Sequence, residues 1–188
     1  SGRIAALYAR RPEATVIAGA TDVGLWVTKR FRAIAPALFI GGIEALRGIA
    51  DTGGRLVIGA ATSYSEARIA LARAVPALGA LVARIGGEQV RNMGTIGGNI
   101  ANGSPIGDMP PALIALGATV TLRRGGRRRV LPLEAFFIAY GRQDRRPGEF
   151  VEAVQVPLPD SAILVAIHKV SKRRDEDITA VLGAFAIT

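Results

Sequence analysis

The chain has 188 residues, no cysteine, a single histidine and a net charge of +9. The missing cysteines exclude disulfides, thiolate metal sites, iron–sulfur ligation and a cysteine nucleophile. One histidine excludes a multi-histidine metal centre and disfavours a Ser–His triad. Chemistry on this chain would therefore need a bound organic cofactor.

Hydrophobic residues make up 49% of the chain, so a sizeable core can form. We expect a cytoplasmic protein, because charges interrupt every apolar run below membrane-span length and no signal peptide is visible. The first residue is not methionine, which we interpret as a cut inside a longer chain. The basic balance favours an anionic partner, but few aromatic residues accompany the arginines. Solvated faces and turns are therefore the simpler interpretation of most basic clusters.

The first forty residues predict a parallel strand–helix–strand unit. A short helix over 4–9 ends before Pro12. Buried strands over 14–18 and 36–40 then flank a turn and a helix over 23–31. This spacing is typical of one parallel crossover.

The rest of the chain predicts a mainly antiparallel region with helices. Strands over 48–50 and 55–58 flank a glycine-containing turn, and Ser63 with Glu66 forms a capping box. Further predicted helices cover 64–73, 76–85, 110–116 and 133–140, and further strands cover 118–122, 128–131, 150–156, 163–170 and 178–187.

The stretch 89–111 holds five glycines and three prolines, so it cannot form a long regular helix. Glycine lets main-chain N–H groups approach a ligand closely. Residues 95–99 offer a hydroxyl, two exposed amides and an amide side chain, and Asp108 can accept hydrogen bonds from sugar or ribityl hydroxyls. The alternative role of Asp108 is the N-cap of the helix begun by Pro110. The stretch predicts contact with a large, partly anionic cofactor.

A second candidate segment is 16–23, where Gly19 and Ala20 end a strand and Thr21 begins a helix. N–H groups at a helix start favour an anion such as pyrophosphate. The spacing is not that of the usual dinucleotide fingerprint, G-x-G-x-x-G. Taken alone, the segment is more simply a strand-to-helix turn with Thr21 or Asp22 as N-cap.

The segment 168–177 predicts a strand that ends in a solvated, mixed-charge hairpin tip. His168 fits a partner of a backbone group better than a catalyst. Lys169 is expected on the opposite face of the strand from His168, because side chains alternate.

Four segments in order resemble the flavin-binding part of the molybdenum hydroxylases, the family of xanthine dehydrogenase and carbon monoxide dehydrogenase. They are IAGATDV (17–23), EQVRNMGTIGGNIANGSPIGDMPPALIALGA (88–118), RRPGEF (145–150) and KRRDEDI (172–178). The resemblance covers essentially the whole chain. The second and last segments most resemble the small subunit of bacterial xanthine dehydrogenase.

The resemblance implies an α+β fold. A two-subdomain FAD-binding domain, with a small βαβ unit and a mainly antiparallel sheet with helices, would be followed by a partial C-terminal α+β domain. We assign the FAD-binding domain to 1–140, with subdomains at about 1–47 and 48–140. Residues 141–188 would begin a truncated C-terminal domain.

The resemblance also implies where FAD binds. The first loop would embrace the pyrophosphate, and the turn over 170–177 would lie near the flavin, where it affects access of NAD. Relatives often have glycine where this chain has Ala20, and we expect little consequence because alanine is small. The implied cofactor-binding residues are Val16, Ile17, Ala18, Gly19, Ala20, Thr21, Asp22, Val23, Ile85, Thr95, Gly97, Gly98, Asn99, Asp108, Val151 and Lys169. The resemblance implies no catalytic side chain and no metal ligand on this chain.

The implied function is electron transfer within a hetero-oligomeric oxidoreductase of purine catabolism. A molybdenum cofactor on a partner subunit would oxidise the substrate, iron–sulfur clusters would pass electrons to FAD here, and NAD would accept a hydride. Xanthine dehydrogenase is the first interpretation, with carbon monoxide, aldehyde or aromatic dehydrogenases as alternatives. No nucleic-acid or membrane partner is implied. A basic nucleic-acid-binding module and a fragment that binds no FAD are the alternatives of another class.

Overall fold

A computed structural model describes residues 2–188 and shows a mixed α+β fold. The helices are α1 Gly2–Arg10, α2 Val23–Thr28, α3 Tyr64–Ala74, α4 Pro76–Ala83, α5 Glu88–Met93, α6 Ile96–Asn102, α7 Met109–Ala115 and α8 Leu133–Phe136. The strands are β1 Thr15–Ile17, β2 Ala37–Phe39, β3 Ile49–Asp51, β4 Arg55–Gly59, β5 Thr119–Arg124, β6 Arg127–Pro132, β7 Phe137–Ala139, β8 Arg142–Gln143, β9 Phe150–Pro157, β10 Leu164–Ser171 and β11 Thr179–Ile187.

The N-terminal unit is the predicted parallel crossover. β1 pairs with β2 in parallel, with Thr15 opposite Ala37, and α2 lies between them in sequence. α2 ends at Thr28, three residues before the predicted end. A second small core, which includes Ala5, Tyr8 and Phe150 of β9, joins the unit to the larger part. The parallel unit is therefore confirmed, with a shorter helix.

A five-stranded antiparallel sheet forms the centre of the larger part. Its strand order is β3-β4-β9-β5-β6, so β9 pairs with β4 on one side and β5 on the other. Val154 of β9 lies opposite Ile58 and Val120, and all three side chains are fully buried. Apolar residues of α3, α4, α6 and α7 belong to the same core cluster.

The position of β9 in the sheet bears on where the boundary between the two domains lies. The predicted division at residues 140 and 141 falls before β9, whereas its partner strands come from earlier in the chain. A division there would leave β4 and β5 without the strand that joins them, exposing two edges. The division into domains stays a prediction, and we propose that the boundary follows Pro157.

The glycine-rich stretch forms short helices. α5 has six residues and α6 has seven, which agrees with the prediction that no long helix forms. Thr95 is the N-cap of α6, and its hydroxyl accepts a hydrogen bond from the Gly98 N–H at 3.0 Å. Gly103 ends α6 in the left-handed region, at φ +59°. Both end signals are visible in the sequence.

The predicted helix over 133–140 is wrong beyond Phe136. From Phe137 the backbone is extended, and Phe137 pairs with Gln143 across a short antiparallel contact. Phe136 is fully buried and Tyr140 is largely exposed, so the two aromatic residues do not share one helix face.

The last two strands form a separate hairpin. β10 and β11 pair from Leu164 opposite Ile187 to Ser171 opposite Thr179. Val165 and Ile167 pack against the main core, and the alternate face is exposed.

None of the helices within residues 2–188 combines the length and apolar character needed to cross a bilayer.

Candidate cofactor-binding site

A cavity of about 410 Å³ lies where the N-terminal unit meets α6 and the start of β9. This volume is within the usual range for ligand-binding clefts. The cavity brings together two segments that sequence reasoning singled out separately. Its predicted lining residues are Val16, Ile17, Ala18, Gly19, Ala20, Thr21, Asp22, Val23, Thr95, Gly97, Gly98, Asn99 and Val151.

Some lining residues were missed by sequence reasoning. They come from several separate elements and loops, and only the fold brings them to one place. The missed residues include Tyr8, Trp26, Arg32, Tyr64, Asn102, Arg145 and Phe150. Arg145 begins one of the segments that carried the family resemblance, and this was the available signal for it.

The first loop passes very close to the chain after α5. A Cβ atom added to Gly19 would lie 1.6 Å from the Met93 carbonyl oxygen, so no side chain fits there. Asp22 is the N-cap residue of α2, but its side chain makes no capping bond. Its carboxylate instead accepts a hydrogen bond from the Trp26 indole N–H at 2.9 Å. The loop is thus held on both sides of the turn.

Ala20 lies in the left-handed region, at φ +57°. A Cβ atom in this conformation approaches the backbone, which costs on the order of 1 kcal/mol. The expectation that alanine has little consequence here is therefore incomplete. Glycine at this position would relieve this strain.

The second segment is anchored by main-chain hydrogen bonds to the loop after β4. The Tyr64 N–H donates to the Gly94 carbonyl, and the Ile96 N–H donates to the Thr62 carbonyl, both at 3.0 Å. The Gly97 N–H donates to the Ala60 carbonyl at 3.0 Å. The prediction that the Gly97 and Gly98 amides are exposed is wrong, since both donate to protein oxygens.

One polar atom at this site has no protein partner. The Oδ1 atom of Asn99 is buried and accepts no hydrogen bond from residues 2–188. Asn99 lines the cavity from the first turns of α6. A buried acceptor without a donor costs about 1–3 kcal/mol, and a ligand N–H or O–H would remove that cost.

Three predicted contacts lie away from this cavity, namely Ile85, Asp108 and Lys169. Ile85 packs against the main core. The Lys169 ammonium donates to the Asp108 carboxylate at 2.7 Å, and the two side chains are 3% and 8% exposed. The Thr179 hydroxyl donates to the same carboxylate. Asp108 is the N-cap residue of α7, as the alternative interpretation had it, but it makes no side-chain capping bond.

The Lys169 ammonium also donates to the Arg84 carbonyl at 3.1 Å, and the Arg84 guanidinium donates to the Lys169 carbonyl at 2.8 Å. Together, the contacts of Lys169 join α7, the end of α4 and the β10–β11 hairpin. His168 is exposed, so the predicted alternation of His168 and Lys169 is confirmed.

Tyr64 lines the cavity and is 4% exposed. Its burial, together with the nearby Asp108 carboxylate, raises the pKa of Tyr64 well above its ordinary value. The phenol therefore stays neutral and can donate a hydrogen bond. It is not a general base at neutral pH.

A second, open cavity of about 470 Å³ lies at the hairpin tip and is lined by Arg84, Lys169 and residues 170–174. The Arg84 guanidinium donates to the Ser171 hydroxyl at 3.2 Å, which holds the tip against the end of α4.

Across residues 2–188, no group of three or more His, Cys, Asp or Glu side chains could hold a metal ion.

Comparison with known proteins gives the class of this fold and site. A family model described as the FAD binding domain in molybdopterin dehydrogenase matches residues 2–159. The chain therefore belongs to this family of FAD-binding domains.

Particular relatives agree with the family. The chain is 33% identical to nicotinate hydroxylase of Emericella nidulans over 196 residues, which covers 94% of the chain and 14% of the relative. It is 29% identical to the nicotinate dehydrogenase FAD-subunit of Eubacterium barkeri, covering 92% of the chain and 60% of the relative. The chain thus spans only part of each relative.

Among solved structures, a chain of carbon monoxide dehydrogenase from Hydrogenophaga pseudoflava matches with a TM-score of 0.87 and 30% identity. That match covers 95% of this chain and 63% of the other. The α+β fold that the sequence predicted is confirmed.

The side chains and backbone that line the cavity are compatible with FAD as the ligand. Gly19 lets the first loop pack against the Met93 backbone, which places that loop at the cavity, and Asn99 on the lining has an acceptor without a partner. Arg32 and Arg145 add positive charge for a phosphate-bearing ligand. Apolar Ile17 and Val151 also line the cavity, although they are only 4% and 3% exposed.

Proposed function

We propose that this chain is the FAD-binding part of a molybdenum-containing hydroxylase and that FAD occupies the cavity between residues 16–23 and α6. One observation carries the proposal. The two segments that sequence reasoning selects independently line the same cavity, and Asn99, whose buried Oδ1 atom has no partner, is one of the lining residues. The family match over residues 2–159 supports FAD as the ligand.

In this proposal the chain's own residues bind and orient the cofactor and exclude water. The close-packed turn at Gly19 fixes the first loop, and Asn99 accepts a hydrogen bond from the cofactor. FAD held by these residues would supply the redox chemistry, with iron–sulfur clusters as the proposed electron donors and NAD as the proposed hydride acceptor. No side chain needs to act as an acid or base, which agrees with the neutral Tyr64 phenol.

For Asp108 and Lys169 we propose a positioning role. Their buried ion pair fixes the β10–β11 hairpin on the helices behind the cavity. This extends the expectation that both residues contact the cofactor, which stays a prediction. Ile85 would act from the same side, as part of the packed layer beneath the hairpin.

The substrate and partners of the whole enzyme are proposed from the family. A subunit with the molybdenum cofactor and an iron–sulfur domain would complete a hetero-oligomer in the cytoplasm. The sequence segments favour xanthine dehydrogenase and a role in purine catabolism. The 33% identity to nicotinate hydroxylase favours the alternative of an aromatic dehydrogenase. Identifying the neighbouring molybdenum subunit would decide between them.

The proposal is tested by passing the purified chain with FAD through a gel-filtration column. We expect flavin absorbance to co-elute with protein at one equivalent. The Asn99→Leu variant should bind FAD about fivefold to tenfold more weakly, because one hydrogen bond is lost. Asn92→Leu is the matched control, since Asn92 is exposed on α5 and does not line the cavity.

Absence of flavin from a natively folded chain would contradict the proposal and favour the fragment without FAD. Steeply salt-dependent DNA or RNA binding by that colourless protein would instead favour the nucleic-acid-binding module. The acceptor is tested by reducing the bound flavin without oxygen and adding NAD. Appearance of NADH with reoxidised flavin is expected, and a flavin that stays reduced would exclude NAD.

A further inference from the structure

We propose that Arg32 and Arg145 form a cationic rim on the cavity that binds the phosphates of the cofactor and selects phosphorylated flavins over riboflavin. The inference rests on the proposed function and adds two binding residues to it. Neither arginine belongs to the sixteen residues that the sequence singled out.

The two arginines come from separate parts of the chain. Arg32 follows α2, and Arg145 lies in the loop between β8 and β9, yet both line the same cavity. Both are exposed at its surface, and neither forms an ion pair with a carboxylate of residues 2–188. Their charges are therefore available to a ligand.

Arginines near β5 and β6, in contrast, form ion pairs with carboxylates. Arg129 is paired with Asp144 at 2.8 Å and with Glu149 at 2.9 Å. Arg123 is paired with Glu152 at 2.5 Å. These cations are used within the protein. Arg32 and Arg145 differ from the other arginines without an ion pair in that they line the cavity.

Arg32 is held in place by an aromatic neighbour. Its guanidinium carbon lies 4.8 Å from the centroid of the Trp26 ring, and the Trp26 indole N–H donates to Asp22. Stacking uses the face of the guanidinium and leaves its N–H donors free at the edge. These donors match phosphate oxygens, which form charge-assisted hydrogen bonds with arginine.

The acidic residues at the cavity do not cancel this charge. Glu13 and Asp22 are the carboxylates on its lining within residues 2–188. Glu13 lies 3.7 Å from the Arg11 guanidinium, and Asp22 accepts from Trp26. The bond from the neutral indole leaves the Asp22 charge in place. With Arg11 included, three cations face two carboxylates, so the rim keeps a net positive charge that favours a ligand with phosphates. Riboflavin has no phosphate and would gain nothing from it.

The test compares FAD and riboflavin on the same variants. Arg32→Met and Arg145→Met should each weaken FAD binding about tenfold, because each removes a charge-assisted hydrogen bond. Riboflavin binding should not change. The double variant should also lose most of the salt dependence of FAD binding. Arg142→Met is the matched control, since Arg142 is exposed nearby but does not line the cavity.

Each outcome decides one point. If the unmodified chain binds no FAD, the proposed function fails and the rim fails with it. If the unmodified chain binds FAD and both variants bind it equally well, only the rim is overturned. An equal loss of FAD and riboflavin affinity, or an equal effect of Arg142→Met, would also overturn it. A loss confined to FAD in the two rim variants supports it.

Discussion

At the scale of single residues, Asp108 and Lys169 show the largest difference between the expected role and the observed contacts. Sequence similarity suggested two separate cofactor contacts, whereas the structure joins them in one buried ion pair. Burying a charge is costly unless it is paired and hydrogen-bonded. Here the Thr179 hydroxyl and the Arg84 carbonyl supply the further partners.

This pair gives a stability prediction. Asp108→Asn and Lys169→Met should each lower the free energy of unfolding by about 3–5 kcal/mol, because each leaves one buried partner uncompensated. The double variant should lose less than the sum of the two. Urea denaturation of all four proteins measures the coupling.

The pair of Arg173 and Asp177 is the control, since the Arg173 side chain is 74% exposed and that of Asp177 is 16% exposed. Arg173→Met should cost no more than about 1 kcal/mol. Strictly additive losses for Asp108 and Lys169 would show that the two charges do not support each other.

Gly97 gives the second prediction. Alanine normally stabilises a helix relative to glycine by up to about 1 kcal/mol. At Gly97, however, the new Cβ atom would lie 2.4 Å from the Cβ atom of Ala60. Overpacking of this kind costs about 1–3 kcal/mol, so Gly97→Ala should lower the urea midpoint. Gly42→Ala should not, because nothing lies within 4 Å of that position. Equal midpoints for the two variants would contradict the close packing of α6.

At the scale of elements, the β5–β6 hairpin and the loop before β9 are joined by ion pairs. Burial alone would raise the pKa of Glu149, but hydrogen bonds from the Arg129 guanidinium and the Arg146 N–H lower it overall. Burial likewise opposes the hydrogen bonds from Arg128 and Arg123 that lower the pKa of Glu152. The folded state therefore favours the charged form of both carboxylates.

These pKa shifts fix the sign of an acid effect. A folded-state pKa below the unfolded value of about 4.5 means that the stabilisation is complete above that pH. It is lost as the pH falls through the folded-state pKa. The free energy of unfolding should therefore decrease below pH about 4.5. Glu149→Gln should be less stable at neutral pH and show a shallower acid dependence.

Urea midpoints measured across acid pH test this prediction. Glu134→Gln is the control, because Glu134 is exposed and forms no ion pair among the described residues. If both variants keep the slope of the unmodified chain, Glu149 does not contribute to acid unfolding.

Local signals predicted most elements. The parallel unit follows from two short β-branched strands around a helix, and the capping box of Ser63 and Glu66 is present as predicted. The sequence of 89–111 predicts glycine-rich chain without a long helix, whereas the structure forms α5 and α6 there. Glycine is a poor helix former, but tertiary packing against Ala60 admits nothing larger at Gly97. Here packing between distant segments outweighs the low helix propensity of glycine. Such contacts cannot be inferred from the propensities of neighbouring residues.

At the scale of the whole molecule, the cavity was only half predictable. The sequence contained the loop at 16–23 and the segment at 95–99, and the fold places both on one cavity. Nothing local distinguishes Arg32 from the many solvated arginines, and Arg145 is marked only by its place in the 145–150 segment, which carries the family resemblance. The place of β9 at the centre of the sheet was equally hidden, since strand order depends on long-range pairing.

The proposed function places FAD in the cavity between the first loop and α6. Amide hydrogen exchange with and without FAD tests this location most directly, because bound ligand protects the backbone it contacts and orders. We predict FAD-dependent protection of residues 16–23 and 94–102. Protection confined to the hairpin tip over 170–177, with those two segments unchanged, would contradict the account.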